Sequence, residues 1–126
     1  MSNVEFKSVA PILVAQDIQA SAAYYQDRLG FGIDFLYGEP PFYGAVSRGE
    51  VCLHLRFMNI ANPVAGDDTL ILATIEVSDV RALFEEFRER GADIIQPPTS
   101  HPWGGTDILV RDPDGNVISF VTYTPQ

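Results

Sequence analysis

Two hydrophobic patterns alternate along this chain, and the pair of patterns occurs twice. Val9 to Val14 is a short apolar run, which predicts a buried strand. Ile18, Ala22, Tyr25 and Leu29 then recur at helical spacing and define one face of a helix. Asp17 stands where its carboxylate can accept from the free N–H groups of the first turn, and Gly30 where helices end in the left-handed region. Phe31 to Tyr37 reads as a strand with Phe31, Ile33 and Phe35 on one face. Phe42 to Ser47 and Val51 to Phe57 are two further strands, joined by Arg48-Gly49-Glu50.

The stretch from Asn59 to Asp68, with Asn62-Pro63 and Gly66-Asp67-Asp68, reads as a linker, after which the pattern restarts. Leu70 to Val77 is a strand. Asp79 caps a second helix with Val80, Phe84, Phe87 and Gly91 on one side. Arg81, Glu85, Glu86, Arg88, Glu89 and Arg90 form its solvated side. Asp93 to Gln96 is a strand, and Gln96 to Gly105 a Pro/Gly-rich loop holding Trp103. Thr106 to Arg111 and Asn116 to Tyr123 are strands joined by the turn Asp112-Pro113-Asp114-Gly115.

The two capping aspartates, Asp17 and Asp79, stand 62 positions apart, about half of the 126-residue chain. Internal repetition on this scale predicts an α+β fold of two βαβββ modules, about 8–58 and about 69–123, within a single domain over 1–126. A half of roughly 60 residues buries too little surface to be stable alone. The modules should therefore share a core or exchange elements.

Charge narrows the possible partners. Seventeen acidic against eight basic residues give a net charge of −9, which repels phosphate backbones and favours cationic or neutral ligands. No nucleic-acid partner is expected. Cys52 is the only cysteine, so no intrachain disulfide can form. Met1 to Lys7 lacks the apolar run of a signal peptide, and no segment approaches the ~18 apolar residues that span a bilayer. A cytoplasmic protein without a membrane partner is the expectation. Neither a Gly-rich phosphate loop nor a nucleophile elbow is present.

Several stretches together resemble the vicinal oxygen chelate superfamily of glyoxalase I, extradiol dioxygenases, and fosfomycin and bleomycin resistance proteins. They are Pro11 to Asp17, Tyr25 to Phe31, Val77 to Val80, Pro102-Trp103-Gly104 and Arg111 to Ile118. The resemblance implies curved mixed sheets around a cleft, a strand-built cavity. In the enzymes of that superfamily the cavity holds a divalent metal on His, Glu or Gln. Here the matching positions carry Ala10, Cys52, Leu72 and Ser119. Ala, Leu and Ser cannot serve as ligands to such an ion. The expectation is no metal, no cofactor and no catalytic residue.

Strand parity places His54 on the face of Cys52, with Glu50 and Arg56. His54 then reads either as a hydrogen-bonding cavity residue or, with Glu76 and Cys52, as a relocated metal site in a divergent glyoxalase- or dioxygenase-like enzyme. His54, two residues along the strand and so roughly 6–7 Å away, is too far to activate Cys52, which reads as an inert cavity residue. His101 reads as an ordinary loop histidine.

Bleomycin resistance proteins provide the best-matching pattern. That resemblance implies a homodimer binding a cationic glycopeptide antibiotic in crevices between subunits. Pro11 would help the N-terminal strand cross to the partner. Tyr43 and Trp103 would be stacking residues, with Leu72, His54, Cys52 and Phe42 lining the site. Trp103 is equally readable as a plug holding down its loop, and Phe42 as ordinary strand packing. Leu72 departs from the aromatic common at its position, and Gly105 from an Arg.

Overall fold

The computed structural model describes residues 2–124. Met1, Pro125 and Gln126, included in the expected domain limits, lie outside them. The first module contains β1 (Ile12–Ala15), α1 (Ile18–Leu29), β2 (Gly32–Tyr37), β3 (Tyr43–Arg48) and β4 (Val51–Phe57). The second repeats the order with β5 (Ile71–Glu76), α2 (Val80–Arg90), β6 (Asp93–Ser100), β7 (Gly105–Arg111) and β8 (Val117–Tyr123). Each module forms one mixed four-stranded sheet. The strand orders are β1-β4-β3-β2 and β5-β8-β7-β6, with β1 parallel to β4 and β5 parallel to β8.

Both helices start and stop where their sequences direct. The Asp17 carboxylate accepts from the Ala20 N–H at 3.0 Å and that of Asp79 from the Ala82 N–H at 3.1 Å. Gly30 and Gly91 close them at φ 74° and 77°, which only glycine adopts without strain. Apolar residues of both modules meet in one buried cluster. Leu13, Tyr25, Leu29 and Phe31 belong to it from the first module, and Phe87, Ile108 and Phe120 from the second. The shared core expected from the size of each half is therefore present.

Tertiary packing changes four local readings. A bulge between Ile33 and Phe35 interrupts the parity of β2. Phe31 is consequently buried against Tyr25, while Phe35 lies 46% exposed with its ring stacked on Tyr43. The predicted loop from Gln96 is mostly strand. β6 runs to Ser100 through Pro97 and Pro98, tolerated because β6 is an edge strand and the prolines fall within the register shift between Gln96 and Thr99. β1 begins only at Ile12, and Val9 is exposed. Lastly, the linker is tied down: the Asn62 Nδ2 donates to Asn116 Oδ1 at 2.7 Å.

That last contact belongs to a buried clasp between the modules. Asn116 donates through Nδ2 to the Val14 carbonyl at 3.0 Å and to Asp112 Oδ2 at 2.9 Å. The Tyr25 hydroxyl donates to the same Asp112 oxygen at 2.8 Å. Burial pushes the Asp112 carboxyl up, against the donors from Asn116, Tyr25 and Asp114 that draw it down. The turn Asp112-Pro113-Asp114-Gly115 thus closes a hairpin and also bolts β8 to β1 and α1.

Candidate functional site

Each sheet turns one face to the helices; the other face carries partly buried side chains in the first sheet and buried Asp107, Ser119 and Val121 in the second. In the first sheet Leu13, Val46, Leu53 and Leu55 face the core, so the intervening residues face outward. The register sets Tyr43 opposite Arg56, Ala45 opposite His54 and Ser47 opposite Cys52, with Ile12 beside His54. Tyr43 and His54 are diagonal neighbours, a separation that long side chains bridge. Their hydroxyl and Nδ1 are 2.9 Å apart and their rings meet edge-on at 5.6 Å. Phe35 stacks on the far side of Tyr43, at 6.5 Å and an interplanar angle of 14°. The result is a continuous aromatic surface, Phe35–Tyr43–His54.

Cys52 lies on this same face and is partly buried. Burial, followed by the nearby Asp34 carboxylate, pushes its thiol up, which disfavours the nucleophilic thiolate. Phe42, just before β3, is half exposed and packs edge-on against Tyr37.

The second sheet carries a different arrangement. Ile108, Val110, Ile118 and Phe120 face the core, leaving Asp107, Leu109 and Ser119 on the opposite side. Asp107 is 8% exposed, yet its carboxylate is well served. Its Oδ1 accepts from Gln96 Nε2 at 2.7 Å and lies 2.8 Å from His101 Nε2. Ser119 Oγ approaches Oδ2 at 3.5 Å. His101 is therefore not an ordinary loop histidine: it is fixed to the sheet through Asp107. Trp103 stacks on that imidazole, with ring centroids 5.0 Å apart and planes at 5°. The indole also meets Tyr123 at 6.0 Å and remains 58% exposed.

The six expected site residues are thus divided. Tyr43, His54 and Cys52 share the face of the first sheet turned away from the helices, with Phe42 at its margin. Trp103 belongs to the second module, as does Leu72, which is half buried and packs against the core. A cleft of about 600 Å³ does open between the modules, but Phe31, Phe87 and Phe120 floor it and Glu50, Glu76 and Glu86 stand along it. None of the six borders it. Glu76 lines this cleft and His54 does not. Among the described residues, no group of three or more His, Cys, Asp or Glu is placed to hold a metal ion.

Phe35, Asp107 and Gln96 were missed in the sequence. The sequence pattern puts Phe35 on one face with Phe31 and Ile33, because the bulge in β2 leaves no trace there. Asp107 could have been found as the one acidic position inside the apolar run of β7. Gln96 and His101 meet it only once the β6–β7 register is known.

Aromatic pairs on both modules thus stand on a duplicated βαβββ frame. The chain belongs to the Glyoxalase/Bleomycin resistance protein/Dioxygenase superfamily, whose family model matches residues 6–120. A bleomycin resistance protein of Geobacillus stearothermophilus is 32% identical to it, over 87% of this chain and 92% of that one. A bleomycin resistance protein of Staphylococcus aureus matches to the same extent. The crystal structure of the bleomycin-binding protein from bleomycin-producing Streptomyces verticillus, complexed with copper(II)-bleomycin, superposes with a TM-score of 0.78 at 29% identity, covering 98% of this chain and 99% of that one. A glyoxalase-related enzyme from Clostridium phytofermentans shares the fold at a TM-score of 0.79 and 18% identity, over 98% and 99% of the two chains. No helix is long and apolar enough to cross a membrane among the described residues.

Proposed function

We propose that this protein is a metal-free binding protein of the bleomycin-resistance kind, which sequesters a flat, cationic or heteroaromatic drug and performs no chemistry on it. One observation carries the reading. The two aromatic platforms, half-buried Tyr43 on half-exposed Phe35 and exposed Trp103 on His101, belong to different modules. Such rings offer π surface to a ligand that carries flat rings and positive charge. The net charge of −9 favours the approach of that ligand.

The platforms belong to different sheets, and neither borders the cleft between the modules. A second copy of the chain would bring the first-sheet face of one protomer against the second-sheet face of the other and close a crevice at each junction. The homodimer is therefore part of the proposal. The N-terminal segment before Pro11 leaves Val4, Phe6 and Val9 exposed, an apolar surface suited to crossing onto that partner.

Calorimetry with metal-free bleomycin tests the function. Saturable binding with one drug per crevice is expected, weakened at least about tenfold by Trp103→Ala and by Tyr43→Ala. Absence of binding by the unmodified protein would remove the drug class. Stoichiometric metal in protein purified without a metal-affinity tag, lost in His54→Ala, would overturn the metal-free reading.

A further inference from the structure

We propose that His101 is the positioning residue of the Trp103 platform, and that Asp107 holds its imidazole so that it backs the indole at a fixed angle. The inference rests on the reading that Trp103 meets the ligand, and it names the residue that makes that ring a rigid surface.

The chain of contacts runs from the sheet outward. Asp107 sits in the β7 ladder opposite Thr99 on one side and Val121 on the other, so its backbone is held from both directions. The Gln96 amide, bonded to the same carboxylate oxygen, leaves that carboxylate little freedom. His101 Nε2 then binds Oδ1, the acceptor for a ring N–H. Backbone contacts fix the other end of the histidine: its N–H donates to the Gly105 carbonyl at 2.8 Å, and its carbonyl accepts from the Gly104 N–H at 3.1 Å. An imidazole anchored at the ring and at the backbone is a fixed flat surface.

Trp103 has no ring-to-carboxylate anchor of that kind: besides His101, its indole meets Tyr123 at a tilt and lies over Gly105. It stands at the tip of the β6–β7 turn, more than half exposed, where a side chain ordinarily hops between rotamers within nanoseconds. Near-coplanar stacking on His101 removes that freedom. The ligand then meets a ring already oriented and loses less entropy on binding. The remaining indole surface suits a flat heteroaromatic ring. The Asp107 carboxylate at the edge of the imidazole adds negative charge beside the stacked pair, which favours a ligand ring bearing positive charge.

Trp103 is the only tryptophan in the chain, so its motion can be read without interference. In ligand-free protein, its time-resolved fluorescence anisotropy should decay only with tumbling of the whole molecule. His101→Ala should add a sub-nanosecond component and weaken metal-free bleomycin binding about tenfold. His101→Phe, which keeps a flat ring but loses the bond to Asp107, should fall between the two in both measurements. Unchanged anisotropy in His101→Ala overturns the inference. So does unchanged bleomycin affinity in that variant when Trp103→Ala has lost it. If the unmodified protein binds no bleomycin, the function proposed above falls, and the positioning role is decided by the anisotropy alone.

Discussion

At the scale of single residues, the Trp103 platform depends on what is missing beneath it. A β carbon on Gly105 would overlap the indole ring, so the absence of a side chain there lets the ring lie where it does. Gly105 is not in the left-handed region, so an alanine is opposed by the ring and not by its own backbone. Gly105→Ala should therefore leave the fold intact, displace Trp103, shift its emission to the red and weaken bleomycin binding about tenfold. Emission spectra and calorimetry on the same sample would check this; an unshifted spectrum would mean the ring is held elsewhere. The sequence marks Trp103 readily, as the one Trp in a Pro/Gly-rich segment. It does not mark His101, whose partner Asp107 lies across a hairpin with a register set by two bulges in β6.

Elements join through charge at the ends of the helices. The Glu86 carboxylate on α2 receives both Arg48 guanidinium nitrogens at 2.9 Å, and Arg90 Nε at 2.9 Å one turn later. Arg48 also donates to the Leu29 carbonyl at the end of α1. Arg90 donates to the Asp27 carbonyl in the last turn of α1 and Arg28 to the Arg90 carbonyl, so each helix C-terminus receives a cation from the other module. Glu86 and Arg90 thus do more than cover a solvated helix face. The Arg48 hydrogen bond, assisted by Arg90 and opposed by burial, holds the Glu86 carboxyl below its usual 4.5.

A carboxyl lowered in the folded state adds stability that is present above 4.5 and lost as pH falls through its folded value. Glu86→Gln should cost about 1 kcal/mol at neutral pH, a modest figure because the groups are partly exposed. The difference should vanish in acid well below 4.5, as denaturant melts at the two pH values would reveal. Most elements were legible because the cap residues and periodicity act locally. The β2 bulge was not, since an extra residue in a strand is defined only by the partner it fails to pair with.

For the whole molecule, the shared core predicts that the two modules unfold as one unit. Asn116 is fully buried and ties the second module to the Val14 carbonyl, to Asp112 and, through its Oδ1, to Asn62. Asn116→Ala would leave three buried polar partners without it. A loss of about 3 kcal/mol is expected, seen as a lower urea midpoint with a single transition retained. Two separated transitions would show that the modules unfold independently.

The sequence by itself determined the repeat, the order βαβββ in each half and both helix limits, because caps, turns and periodicity are properties of neighbours along the chain. It also marked Tyr43 and Trp103 as aromatics available to a ligand. Only the tertiary structure decided how far each sheet face is buried, that Phe35 joins Tyr43, that His101 rests on Asp107, and that the cleft between the modules is lined by residues other than the six expected. Those outcomes depend on strand register and on how two sheets meet across a shared core. Contacts between positions far apart in the chain settle both, and no local pattern encodes them.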